Sequence, residues 1–233
     1  MLSIAGFRKA FAYAELFWQG AVCTVSLSAL TVIFGFMLAL VLALSRMGKN
    51  KLLRGISTAY VEFFRATPML VQIALIYYVV FAGVKVLPGF KLFGFIRFDR
   101  FFPGVVALSL NSGAYLSEII RSGIQSIDGG QTEAARSLGL SQWKTMRLVV
   151  LPQAIKNILP AIANEFVTII KESAICYTIG VQEIMSAVHS VKGATYSIGE
   201  ALIIATAMYF CLTFPTSKII EHFERKMSRG DKR

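Results

Sequence analysis

From Leu16 to Ser45 the chain carries no charged residue. As a helix that run would rise about 45 Å, whereas the hydrocarbon core of a bilayer is about 30 Å thick. A soluble fold has no use for so long an uncharged stretch, and the whole composition agrees. Of the 233 residues, 55% are hydrophobic and 16% charged, against about 25% charged in ordinary soluble domains. In hydrocarbon every backbone N–H and C=O must be satisfied internally, which leaves helices or closed barrels. The run is too long for the apolar segment of a cleavable signal and no small-residue cleavage pattern follows it, so it reads as a retained span. The expectation is an all-α, polytopic membrane protein.

Further apolar segments run from Ala66 to Val84, Phe101 to Ser117, Asn157 to Val181, and Ala201 to Ser217 with Pro215 near its end. They bring the predicted count to about five transmembrane helices in one membrane domain over residues 1–233. The fourth is the least apolar, broken by Glu165, Lys171 and Glu172. An odd count places the termini on opposite sides, and the Lys/Arg bias orients them. With the N-terminus outside, the inner segments hold Arg46, Lys49, Lys51, Arg54, Arg121, Arg136, Lys144, Arg147, Lys156 and the tail from Lys218 to Arg233. The outer ones hold Arg8, Lys9, Lys85, Lys91, Arg97, Arg100 and Lys192. The N-terminus is therefore predicted outside and the C-terminus in the cytoplasm. The net charge of +11 is dispersed among apolar spans, which suits anionic lipid and excludes a nucleic-acid partner. The outer loop from Lys85 to Arg100 mixes aromatics with basic residues, as membrane interfaces do. Cys23, Cys176 and Cys211 lie in apolar context and read as buried thiols. Two scattered histidines make no metal site.

The inner loop over 128–152 is the polar exception. Asp128 is a helix N-cap with Gln131 three residues on. A short helix of about two turns then runs through Glu133, Ala134, Ala135 and Leu138 to Gly139, which suits the left-handed position past a helix end. Ser141 caps a second short helix, which Pro152 is expected to bound. The small alanines allow another surface to approach closely and Leu138 offers an apolar knob, an arrangement suited to docking into a groove.

Glu133-Ala134-Ala135, Gly139 and Leu151-Pro152 resemble the EAA loop of permease subunits of binding-protein-dependent ABC importers. The stretches VEFFRATPMLVQIALIYY (Val61 to Tyr78), GAYLSEIIRSGIQSI (Gly113 to Ile127) and LPAIANEFVTIIKESAI (Leu159 to Ile175) resemble the polar amino-acid branch, whose cargoes are of the histidine, glutamine, arginine and glutamate type. The likeness covers roughly residues 15–222, with Val149 standing where the pattern usually has Ile. It implies a type I ABC importer-like permease fold in a bacterial cytoplasmic membrane. It also implies that Glu133, Ala134, Ala135, Leu138 and Gly139 form a coupling helix seated in a separate ATPase, which binds ATP-Mg. An extracytoplasmic solute-binding protein would deliver the cargo, and a second permease subunit, identical or homologous, would complete the pathway. This chain is expected to hold no cofactor and to hydrolyse no ATP. Its nearest approach to a phosphate loop, GLSQWKT from Gly139, has Trp143 where the turn around phosphate needs glycine.

Ionisable residues within spans are functional candidates by default. Glu62 with Arg65, and Glu118 with Arg121, are spaced to share a helix face and read as ion pairs near the inner ends of their helices. Glu165 has no basic residue three or four positions away. It lies about 15 Å inward from Ile155, near the midplane, where transporters place substrate sites. With Asn164 beside it, it could hold an ammonium. Lys171 and Ser173 are further candidates for contacting a polar amino acid. Gln72, Asn111 and Tyr115 read as polar glue between helices. An ion-coupled secondary transporter or channel subunit for small polar solutes is the alternative reading, though no inverted repeat supports it. A membrane enzyme would need a nucleophile–base pair or a metal cluster, and the polar residues assemble neither.

Overall fold

The computed structural model describes residues 2–82 and 87–228. Val84, where the second predicted span ends, Lys85 of the outer basic group and residues 229–233 of the basic tail lie outside the described residues. The helices are α1 (Ile4–Phe11), α2 (Ala14–Met47), α3 (Lys51–Ala66), α4 (Met69–Leu75), α5 (Phe98–Gln125), α6 (Gly129–Ser137), α7 (Gln142–Thr145), α8 (Leu151–Glu172), α9 (Ile184–Thr195) and α10 (Ile198–Ser228). A two-stranded hairpin, β1 (Lys91–Leu92) and β2 (Ile96–Arg97), stands before α5.

The bundle is organised around α2 and α5. Cys23 and Leu27 pack with Phe101, Val105 and Leu108 at one end, while Ala39 and Ala43 pack with Leu116 and Ile120 at the other. The two helices therefore run parallel. Lipid gives apolar helices no hydrophobic reason to associate, so close approach depends on small residues. A Cβ added at Gly113 would sit 2.8 Å from Leu38 Cδ2, and one at Gly123 would sit 2.3 Å from Ile158 Cγ1. α8 returns antiparallel, with Ala154 and Ile158 at the loop end. Cys176 and Ile179, beyond its last turn, reach the hairpin end. There α1, α9 and the start of α10 close around Phe17 and Ala21. The hairpin thus marks one end of the bundle, and α6 with α7 the other.

The count of five spans is not reproduced. Among the described residues, three helical segments are long and apolar enough to cross a membrane: Ala14–Met47, Gln142–Ile179 and Ile198–Lys226. A fourth arises only if α3 and the stretch Met69–Phe81 count together, and these are bent by 111°. The second predicted span, Ala66 to Val84, opens on a break at Thr67–Pro68, where α3 ends and before α4 begins at Met69. Proline disfavours the helical conformation in the residue before it, and Thr67 is accordingly extended, at φ −111° and ψ 146°. α5 contains the third predicted span and is long enough at 28 residues, but it carries Glu118 and Arg121 and is not among the segments that qualify by apolarity. Helix α10 continues without interruption past Pro215 to Ser228.

Pro152 does not end the second loop helix. A π-helical segment, Met146–Val150, joins α7 to α8, so one continuous helix runs from Gln142 to Ile179. Pro152 occupies its first turn in α8, and the wider π turn accommodates the missing N–H. Cys23 and Cys176 are buried as expected, but Cys211 is exposed. On an apolar helix surrounded by lipid, a thiol has no need of protein burial.

Candidate coupling surface and membrane-embedded site

The loop is built by local capping. Asp128 Oδ1 accepts from Gly130 N at 2.8 Å and starts α6. At its far end Gly139, at φ +82°, allows Leu140 N to donate to Ala135 O at 3.1 Å and Gly139 N to donate to Arg136 O at 3.0 Å. This pair of bonds is the Schellman pattern. Arg136 adds a bond to Leu140 O at 2.8 Å, and Ser141 Oγ accepts from Lys144 N at 3.3 Å. The turn is closed by hydrogen bonds from its own residues. Its presentation differs from expectation in one respect: Ala135 is buried within the chain, while Glu133, Ala134, Leu138 and Gly139 face outward. Leu138 is 84% exposed and Trp143 70%. Trp143, which breaks the resemblance to a phosphate loop, supplies the larger apolar group on this surface.

Halfway along the bundle, α8 carries a polar stripe. Asn164 and Lys171 are exposed, and Glu165 and Glu172 are partly buried. Residues seven apart lie on nearly the same helix face, so these four form two adjacent columns. Ser112 of α5 lies beside the Glu165 carboxyl. Ser112 Oγ is buried without a hydrogen bond among the described residues, which leaves its hydroxyl free to orient toward that carboxyl. It also marks depth: a Cβ added at Gly35 of α2 would sit 3.2 Å from it, and Gly35 lies about 15 Å from Ser45 along the helix. Ser173 does not join the group. It is buried and donates to Ile170 O at 2.8 Å, serving its own helix end.

The predicted ion pairs resolve differently. Glu62 is exposed and pairs with no described residue. Arg65 turns away from it toward Glu118, with Nη1 3.9 Å from Oε2 and its guanidinium 5.6 Å from the centre of the Tyr115 ring. Glu118 pairs with Arg121 as predicted, but it also accepts from Arg46 Nη1 at 2.6 Å. One carboxylate therefore ties together the ends of α2 and α3 and the last turns of α5. Arg46, at the end of the uncharged run, thus does more than mark the topology: it joins the ion cluster.

Buried polar side chains are satisfied at two further places. Gln72 Nε2 donates to Phe64 O at 2.8 Å, Thr67 O at 3.0 Å and Thr67 Oγ1 at 2.7 Å. Asn111 Nδ2 donates to Gln72 Oε1 at 2.8 Å and to Phe64 O at 3.4 Å. Together they satisfy carbonyls that the Thr67–Pro68 break releases, so the expected glue role has a specific object. Glu183, fully buried, caps α9. It accepts from Met185 N at 2.9 Å, Ser186 N at 2.8 Å and Tyr209 Oη at 2.7 Å. Its signal in the sequence was an acidic residue shortly after Gly180 and ahead of an apolar run.

Residues 31–229 match the family described as binding-protein-dependent transport system inner membrane component. The arginine transport system permease protein ArtQ of Bacillus subtilis (strain 168) is 40% identical over 213 residues, covering 91% of this chain and 93% of its own. The nopaline transport system permease protein NocM of Agrobacterium fabrum (strain C58) is 39% identical over 197 residues, 84% of this chain and 81% of its own. A crystal structure of an amino acid ABC transporter with histidines superposes at a TM-score of 0.87 with 40% identity, covering 97% of this chain and 100% of that one.

Proposed function

The chain belongs to the family of binding-protein-dependent transport system inner membrane components, and from that premise we propose that it is the permease subunit of an ATP-driven importer of polar amino acids. The observation that carries the coupling half of this reading is the pair Leu138 and Trp143, apolar and exposed on a capped turn at one end of the bundle. Such groups are stable in water only at a cost, and they fit a groove on a partner. In this reading the loop over 128–152 is cytoplasmic, the N-terminus lies outside, and Glu133, Ala134, Leu138 and Gly139 face an ATPase subunit that binds ATP-Mg. Ala135 shapes the helix from beneath. A second permease, identical or homologous, faces the polar stripe of α8, and a solute-binding protein delivers cargo to the hairpin end.

Cargo specificity is assigned to Asn164, Glu165 and Lys171. An amino acid brings an ammonium and a carboxylate into a place of low dielectric, and each needs a partner there. Glu165 suits the first and Lys171 the second, one face apart on α8. Ser173 is set aside because its hydroxyl is already committed.

Two experiments test these assignments. Co-expressed ATPase is expected to co-purify with the chain, and Leu138→Asp to weaken that association about tenfold, a typical loss for a central interface anchor. Equal recovery of the ATPase with Leu138→Asp, or solute uptake by the chain alone in liposomes, contradicts the coupling role. Glu165→Gln is expected to lower uptake several-fold while leaving ATPase recovery unchanged. Uptake kinetics that do not move for any polar amino acid remove Glu165 from the cargo site.

A further inference from the structure

The hairpin before α5 presents an unusual combination. Lys91 pairs with Arg97 and Leu92 with Ile96, and Phe95 N closes the turn on Leu92 O at 3.2 Å. The two turn residues both have positive φ, Phe93 at 50° and Gly94 at 78°. Glycine adopts this conformation freely, whereas a bulky side chain there is a genuine outlier. Phe93 is nonetheless 76% exposed, so burial within the chain does not explain its presence.

Phe93 is one wall of an apolar groove. With Leu92, Ile96 and Phe101 it faces Ser26, Ala29 and Leu30 of α2 across about 390 Å³. One turn further along both helices, a second groove of about 320 Å³ lies between Phe34 and Leu38 of α2 and Phe102, Val106 and Leu110 of α5. Together they follow one helix pair from Ser26 to Leu38, a rise of about 18 Å, close to the roughly 15 Å hydrocarbon depth of one leaflet. Counting about 20 residues back from Arg46 places the far hydrocarbon boundary near Ser26. The grooves begin where a leaflet begins.

Charge supplies the second half of the site. Lys91 and Arg97 are directly opposed across the hairpin, an arrangement of like charges that is unfavourable in itself. Among the described residues, the carboxylate that these cations contact is Asp99, shared by Arg97 at 2.8 Å and Arg100 at 3.5 Å. Lys91 has no carboxylate partner among the described residues. Three cations around one anion leave an excess that a phosphate would neutralise.

We propose that the seam between α2 and α5 binds an anionic glycerophospholipid, with one acyl chain in the two grooves and the phosphate held by Lys91 and Arg97. These basic side chains leave the hairpin on the face opposite Leu92 and Ile96. The headgroup therefore lies over the hairpin, and the chain enters beside the turn, against Phe93. The site needs only that the protein resides in a membrane, so it stands or falls separately from the cargo and coupling roles.

The test uses the permease purified with its ATPase in neutral detergent, stripped of lipid and then given phosphatidylglycerol or phosphatidylcholine with identical chains. Retained lipid is counted by native mass spectrometry. The wild type is expected to keep phosphatidylglycerol in preference. Lys91→Glu, an exposed change, should cut that retention about fivefold to tenfold and leave phosphatidylcholine unaffected. Ala29→Trp, which fills the first groove, should reduce both. Equal retention of the two lipids by the wild type, or an undiminished preference in Lys91→Glu, overturns the proposal. So does a disulfide between two copies bearing Phe34→Cys in native membranes, because the seam would then be a protein interface.

Discussion

Gly20→Val is expected to lower the melting temperature of the detergent-solubilised protein by about 10–15 °C, corresponding to about 3–5 kcal/mol. A Cβ at Gly20 would meet the Glu183 carbonyl carbon and the Ile184 nitrogen, each at 2.9 Å. Both are backbone atoms at the start of α9, so no side chain can rotate away, and either α9 or α2 must move. Moving α9 also disturbs the buried Glu183 carboxyl, whose partners Met185 N, Ser186 N and Tyr209 Oη would each lose an acceptor where water is scarce. The matched control is Gly55→Val in α3, where an added Cβ finds nothing within 4 Å. There the loss of a helical glycine should be neutral or mildly stabilising. If the two variants melt together, the close packing of α2 on α9 is not what holds this end of the bundle.

Glu118→Ala is expected to cost about 2–3 kcal/mol and about 5–10 °C in melting temperature. Removing one member of a fully buried ion pair typically costs about 3–5 kcal/mol. Here the Glu118 side chain is 22% exposed and that of Arg65 44%, so solvent offsets part of the loss. The effect remains large because three guanidiniums lose one acceptor at once, and they sit on three different helices. Arg121→Ala should cost less, about 1 kcal/mol, since Arg46 and Arg65 keep the carboxylate paired. Glu118→Gln should fall between, retaining one acceptor oxygen without the charge. Arg121→Ala proving as damaging as Glu118→Ala would mean that the cluster is a single pair within α5 and not a clamp across helices.

These two sites also show what the sequence makes visible. The span over α2 and the caps at Asp128, Gly139 and Ser141 were legible because each depends on residues within a turn or two. The Glu118 cluster was half legible. Arg121 lies three positions away, whereas Arg46 is 72 positions distant, and no local pattern announces it. Glu62 and Arg65 had the spacing of a pair, but spacing permits an interaction without choosing it over a better anion nearby. The break at Thr67–Pro68 was signalled by Pro68, yet a long apolar window outweighed it. Hydropathy records which residues tolerate lipid and not the direction of the chain among them. Pro152 misled in the opposite sense, because a π turn lets a helix continue through a residue that would end an ordinary α-helix. In the candidate cargo site, Glu165 stood out through its isolation. Ser112, its neighbour on α5, could be placed only by the helix packing.

The elbow at Thr67–Pro68 carries a consequence for how the protein is made. Gln72 is synthesised five residues after Thr67 and can cover the freed carbonyls almost at once, so the bend is chemically tolerable in lipid as soon as its own segment has emerged. Asn111 follows Gln72 by 39 positions, which at about 5–20 residues per second is a delay of about 2–8 s on the ribosome. During that interval the elbow is satisfied but not held. The arrival of α5 therefore does more than add a helix to the bundle. It brings Asn111 to Gln72 Oε1 and Phe64 O and so ties a corner shaped by local contacts to the rest of the bundle.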